Sequence, residues 1–268
     1  RRTVITVDDP LLANAAAMAI LEPPLAVQSE AELRRFSDDV LPHLATRATM
    51  LDFRVATGKP ATEILRAANQ THADLIVTGS HGRSGLQKMF FGSTTGRVLR
   101  ETSVPVLVTR EERPASASHA EMARNIHRVL APVDLTAASG RQVTFAAAIA
   151  EQLRVPLIVA HIVEPIFVPM RVRQALSGAD TIRRAEVEAG LAAIEASIPP
   201  GVTTENVVST GAPAEEIVRL AETRGANLIV MGLHSGGMLG PRMGAVTYRV
   251  LSATKALVVA LPPAAAAS

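Results

Sequence analysis

At 268 residues the chain has room for two domains of ordinary size, and its 48% apolar and 19% charged residues exclude a disordered polymer. Lys and Arg together (27) barely exceed Asp and Glu (25), Trp is absent and Tyr248 is the single tyrosine. Clustered phosphate contacts and aromatic stacking platforms are therefore both lacking, which argues against nucleic acid as a partner. The absence of cysteine excludes disulfides, thiol chemistry and zinc–cysteine sites.

In chain order, "TVITVDD" (3–9) is an apolar run closed by acids and is expected to be the first strand of an α/β unit. "ANAAAMAILEPPLAV" (13–27) is apolar but broken by Asn14, Glu22 and a Pro pair, far short of the roughly 20 residues that span a bilayer, so no membrane partner is expected. "TGKPATEILRAANQTHADLIVTGSHG" (57–82) reads as a turn, a helix with Pro in its first turn, and a buried strand "ADLIVT" (73–78) running into glycines. A helix "TTGRVLRET" (94–102) and a strand "VPVLV" (104–108) follow, and the charged, Pro/Ser/Ala-containing "TREERPASASHAEMARN" (109–125) has linker character.

The pattern then starts again. "VLAPVD" (129–134) is a strand ending in Asp, and a helix over 139–155 after a Ser cap leads to the strand "PLIVAHIVEP" (156–165). A helix over 182–198, "TENVVSTG" (204–211), a helix over 213–225, a strand "NLIVMG" (227–232), a glycine loop, a helix over 246–254 and a strand "ALVVAL" complete the unit. Residues 57–82 align without gaps to 210–235 at an offset of 153, with about half of the positions identical, and 96–108 matches 248–259. "TVITVDD" pairs loosely with "RVLAPVD" (128–134), and "ILEPP" (20–24) with "IVEPI" (162–166).

The chain is a tandem duplication: domain one over 1–113, a linker over 114–125 and domain two over 126–263. Continuous β-branched runs alternating with helices indicate mostly parallel sheets covered on both faces. On this alignment the first copy is short. Only "PLLANAAAMAIL" remains between Asp9 and Glu22 for a helix, a turn and a strand, and a helix of about 11 residues would use it up. Residues are therefore expected to be missing between positions 9 and 35, the alternative being a lost first helix.

The glycine loop carries the chemistry. Gly79-x2-Gly82-x9-Gly92-Ser93 follows a buried strand, and Ser93, Thr94 and Thr95 open the next helix. Glycines let backbone approach an anion, a helix start offers unpaired N–H groups and the positive dipole end, and Arg83 adds a cation. A surface loop with a Ser/Thr cap is the simpler alternative. No Walker loop is present, since "GKP" at Gly58–Pro60 lacks the upstream glycine and the following hydroxyl; G-x-G-x-x-G is absent too.

G-x2-G-x9-G-[ST] after a buried strand, with Asp closing the first strand, resembles the ATP-binding universal stress proteins, and the whole chain looks like a tandem of two such domains. The resemblance implies two Rossmann-like (adenine nucleotide alpha hydrolase-like) domains, each a five-stranded parallel sheet of order 3-2-1-4-5, paired about a pseudo-twofold through the last strands. It also implies ATP or AMP binding, with or without Mg²⁺, and little or no turnover. Carried over, Gly79, Gly82, Gly92, Ser93, Thr94 and Thr95 hold phosphates and ribose, with His81 and Arg83 beside them. Asp9 meets the nucleoside, and Ile20–Leu21 meet adenine. A stress-response regulator in the cytoplasm is the expected role. The chain is expected to pair its two domains internally, and a homodimer of such chains is equally compatible.

Copy two departs from the motif. Asp134, Gly232 and Gly244 are kept, but Ser235 replaces the second glycine and Ala245 the hydroxyl, so a degenerate second site is expected. His81 and His234 are read as loop residues rather than catalysts, His161 with Glu164 as a buried histidine rather than a metal pair, and no catalytic or metal residues are assigned. An interaction module with vestigial sites and a slow ATPase remain as the other two readings.

Overall fold

The computed structural model describes residues 2–8, 10, 25–40, 51–79, 92–109, 126–165, 179–233 and 243–263. The first copy contributes β1 (Arg2–Asp8), α1 (Leu25–Val40), β2 (Leu51–Thr57), α2 (Pro60–Gln70), β3 (Ile76–Gly79), α3 (Ser93–Glu101) and β4 (Val106–Thr109). The second contributes β5 (Val129–Val133), α4 (Ala137–Leu153), β6 (Leu157–Val163), α5 (Ala179–Glu195), β7 (Thr204–Thr210), α6 (Pro213–Thr223), β8 (Leu228–Gly232), α7 (Ala245–Ala253) and β9 (Leu257–Leu261). The fold is α/β, with a mostly parallel sheet flanked by helices. Among the described residues no helix is long and apolar enough to cross a membrane.

In copy two the strands stand in the order β7-β6-β5-β8-β9, all parallel, which is the expected 3-2-1-4-5. Val129, Leu130 and Ala131 of β5, Leu157, Ile158 and Val159 of β6 and Ile229 and Val230 of β8 are fully buried, as strands covered on both faces must be. Val143, Ala146, Ala147 and Ala150 of α4 close one face, their small side chains letting the helix lie against the strands. Ile217, Leu220 and Ala221 of α6 close the other. α4 begins two residues before the expected Ser cap. The Asp134 carboxylate accepts from the Thr136 N–H (3.0 Å), the Thr136 hydroxyl (2.7 Å) and the Ser139 hydroxyl (2.9 Å), so the turn ahead of the helix is organised by Asp134 and Ser139 lies inside it.

The copies join through their last strands. β4 and β9 run antiparallel with Val106↔Ala260, Leu107↔Val259 and Val108↔Val258. Leu107 and Val259 are equivalent residues of the two copies and face each other, so a local twofold axis passes between them. One seven-stranded sheet, β3-β4-β9-β8-β5-β6-β7, therefore crosses both copies.

The first copy corrects one strand assignment. The sequence pattern pairs residues 3–9 with 128–134 and so makes β1 a first strand. Instead β1 pairs with β2 over seven positions, from Arg2↔Leu51 to Asp8↔Thr57, as β6 pairs with β7 from Leu157↔Thr204 to Val163↔Thr210. The Gly58 N–H donates to the Asp8 carbonyl (3.2 Å), just as the Gly211 N–H donates to the Val163 carbonyl (3.1 Å). β1 therefore holds the second-strand position. An apolar run closed by an acid fits the ends of β5 and β6 alike, and only the ladder partners tell them apart. Among the described residues copy one shows β2 beside β1 and β3 beside β4, which are the 3-2 and 4-5 pairs of the same order.

Candidate functional site

The two ends of the glycine loop meet at the carboxyl end of β3. Gly79 closes the strand, Gly92 stands at the N-cap of α3, and the Thr95 hydroxyl donates to the Gly79 carbonyl (2.8 Å) while contacting the Thr78 hydroxyl (3.0 Å). Thr95 is only 4% exposed, so its hydroxyl serves to tie helix to strand. Gly92 cannot cap with a side chain, and the first-turn N–H groups of α3 lie at the positive, N-terminal end of the helix dipole. Ser93 is exposed and Thr94 half-buried at that end. Strand end, glycine and uncapped helix start thus converge where an open α/β sheet binds its ligands. Asp9, Ile20, Leu21, His81, Gly82 and Arg83 lie outside the described residues, as do Ser235 and His234 of the second copy.

Copy two presents the same frame with different chemistry. Gly244 is the N-cap of α7, again without a side-chain cap, and Ala245 offers no hydroxyl. The Thr247 hydroxyl reaches the Gly232 carbonyl at 3.5 Å, a looser version of the Thr95 tie. The Gln142 side chain, 8% exposed on α4, lies between β5 and β8. Its amide donates to the carbonyls of Pro132 (2.6 Å) and Val230 (2.9 Å), and its carbonyl accepts from the Gly232 N–H (3.2 Å). The β5–β8 ladder covers only Val129↔Leu228 and Leu130↔Ile229, and Gln142 satisfies backbone groups exposed where the strands splay. Sequence reasoning passed over this residue. Its signal was an amide four and eight residues ahead of Ala146 and Ala150, on the small-residue stripe that the helix buries.

Asp134 ends the first strand of copy two as expected, exposed, with its carboxylate held by Thr136 and Ser139. His161 sits on β6 with Nδ1 2.9 Å from the Val133 carbonyl, which agrees with a structural histidine. A cleft of about 550 Å³ lies at the start of α7, lined by Met243, Gly244, Ala245, Tyr248 and Arg249 together with Arg100 from copy one.

Fold and site define a tandem α/β protein in which a glycine-flanked, uncapped helix start follows a sheet strand. The profile of the universal stress protein family matches residues 2–110 and again 125–262, and the chain belongs to that family. Curated relatives include Universal stress protein YxiE of Bacillus subtilis, 46% identical over 55 residues (20% of this chain and 37% of that protein). Universal stress protein MJ0531 of Methanocaldococcus jannaschii is 41% identical over 56 residues (21% and 33%). The chain thus spans about a third of the length of such relatives. Among solved structures, a universal stress protein from Archaeoglobus fulgidus aligns with 97% of this chain and 86% of its own, at 19% identity and a TM-score of 0.61. A functionally unknown protein from Pseudomonas aeruginosa, PA1789, aligns with 98% and 92%, at 17% identity and a TM-score of 0.65. At these identities the structural likeness speaks for the fold.

Proposed function

We propose that this protein is an adenine-nucleotide-binding regulator that holds ATP or AMP at the start of α3 with little or no turnover. The observation that carries the reading is the uncapped N-terminus of α3, pinned by Thr95 to the end of β3 at Gly79. These residues suit a polyphosphate. Gly92 puts no side chain against it, a helix start and its dipole favour negative charge, and Ser93 and Thr94 add hydroxyl donors. Gly82 and Arg83 of the connecting loop belong to the same motif and are assigned to the phosphates with Gly79 and Gly92, and His81 is placed beside them. With Mg²⁺, a bound triphosphate would bring its own counter-charge.

Copy two is a weaker site. Ala245 removes one donor, and a lost contact to a charged phosphate costs about 1.5–3 kcal/mol, about one to two decades of affinity. Gln142 already occupies the Gly232 N–H. Regulation then works by linkage: nucleotide at copy one favours whichever conformation or assembly it binds better. Acid extraction of purified protein followed by mass spectrometry tests the reading. An adenine nucleotide near one equivalent per chain, lost in Gly92→Glu, is the expected result. No nucleotide and no uptake from millimolar ATP would overturn it in favour of an interaction module.

A further inference from the structure

The antiparallel pairing of β4 with β9 also sets two helix ends side by side. α3 and α7 each run back along the strand that follows them, so the end of α3 lies beside the start of α7. The cleft of about 550 Å³ opens at that junction, and every residue lining it is among those described. Its size is that of a small-molecule site, about 300–1,000 Å³. Arg249 comes to it from α7 of copy two and Arg100 from α3 of copy one, so two guanidinium groups line one space from different walls. Met243, Ala245 and Tyr248 make the surface between them apolar, and Tyr248 is 37% exposed there.

The twofold supplies an internal comparison. At the mirrored place, the start of α3 and the end of α7, Gly96 is the equivalent of Tyr248 and Ser252 that of Arg100. Arg97 is the equivalent of Arg249, but its guanidinium donates to Glu101 (2.8 Å) one turn on, whereas the equivalent of Glu101 is Ala253. The mirrored place thus keeps one arginine, already neutralised, and no aromatic ring. Among the described residues neither Arg100 nor Arg249 has a carboxylate partner. Two like charges at one cleft repel, and an anion held by both removes that cost. Each guanidinium is a planar fork that takes a carboxylate in two parallel bonds. Gly232, Asp134 and Gln142, which mark the degenerate glycine-loop site, are not among the lining residues.

We propose that this cleft binds a small dicarboxylate whose two carboxylates are separated by an apolar spacer. Arg100 takes one carboxylate and Arg249 the other, and the spacer lies on Met243, Ala245 and the Tyr248 ring. Such a ligand has one anchor on each copy, so it braces the junction and stabilises the joined copies by mass action. The site uses none of the residues assigned to nucleotide in copy one, and it stands or falls independently of that reading.

Tyr248 is the single tyrosine and Trp is absent, so the tyrosine emission of the whole chain reports on this cleft. Adipate, which is transparent where tyrosine absorbs, is titrated into the full chain and followed by that emission and by calorimetry. One equivalent per chain is expected, with a change in emission and an affinity at least about tenfold above that of hexanoate, which has one carboxylate. Arg100→Ala and Arg249→Ala are each expected to bring adipate down to the hexanoate level, and Arg97→Ala to change its affinity by less than about twofold. No binding at about ten millimolar adipate overturns the proposal, as does binding that survives either cleft substitution or is lost equally in Arg97→Ala. Binding without a change in Tyr248 emission places the ligand elsewhere and overturns it too. Inorganic phosphate binding as tightly as adipate overturns the ligand class. Displacement of adipate by equimolar ATP would make the cleft part of a nucleotide site and overturns the separate one proposed, whereas nucleotide uptake that fails while adipate binds refutes only the nucleotide reading.

Discussion

Replacing Gln142 with Leu tests how copy two closes its sheet. The two side chains are similar in size, so the change removes hydrogen bonds while leaving little cavity. Lost are the amide donations to Pro132 and Val230 and the bond from the Gly232 N–H, at a site 8% exposed to water. Each of the three buried backbone groups stripped of its partner costs about 1–3 kcal/mol, and burying Leu in place of the amide returns about 1–2 kcal/mol. A net loss of about 1–8 kcal/mol follows. Urea titration by far-UV circular dichroism should show a lower midpoint at an unchanged slope. Gln142→Glu sharpens the test: its carboxylate can still accept from Gly232 but places a second oxygen against two carbonyls. That variant should recover stability as pH falls and the carboxyl gains a donor proton. A loss below about 1 kcal/mol for Gln142→Leu, or a pH-independent deficit for Gln142→Glu, would refute the role assigned to this side chain.

Three further outcomes are expected. Gly211 has φ +155°, and a Cβ there would come within 2.7 Å of Glu216 Cγ, so Gly211→Ala should lower stability by about 1–3 kcal/mol in the same titration. Glu216 accepts from the Arg219 guanidinium and the Ser209 hydroxyl, which hold its carboxyl down to about 2 from an ordinary 4.5. A lowered folded-state value stabilises above the unfolded value and is lost as pH falls. Glu216→Gln should therefore melt below the parent protein at neutral pH, with the gap closing between pH 4.5 and 2 in a melting series. Thr95→Val should cost about 1 kcal/mol of stability by removing the bond to Gly79, yet shift nucleotide affinity by less than about threefold in calorimetry; a larger shift would make that hydroxyl a ligand.

Much of copy two was legible because each of its elements carries one dominant signal. "LIVMG" can only be a buried strand, and Pro60 and Pro213 start their helices at the first turn as read from the sequence. The twofold pairing was implied by the resemblance to the universal stress proteins, not by the repeat alone. What failed was local likeness. Asp8–Asp9 after "TVITV" looks like the Asp134 end of a first strand, and nothing in seven residues says which neighbour a strand will choose. Register is a property of pairs, and Gly58 N–H bonding to Asp8 was visible only once the partners were in place. A hydroxyl at a helix start can face a phosphate or the preceding strand, and the bond from Thr95 to the Gly79 carbonyl could be seen only in the structure. Gln142 escaped notice because one buried amide in an alanine-rich helix creates no periodicity.

The axis between Leu107 and Val259 carries a genetic consequence. In an assembly of two identical subunits every inherited change appears on both sides, so neither half can give up a contact alone. Here the halves are written separately. Leu can face Val across the axis, Arg100 can reach toward the start of α7 while its own counterpart is Ser252, and one loop can keep its glycine and hydroxyl while the other holds Ser235 and Ala245. Covalent fusion thus turns a symmetric pair into a primary half and a derived one, free to drift apart while sharing a single sheet.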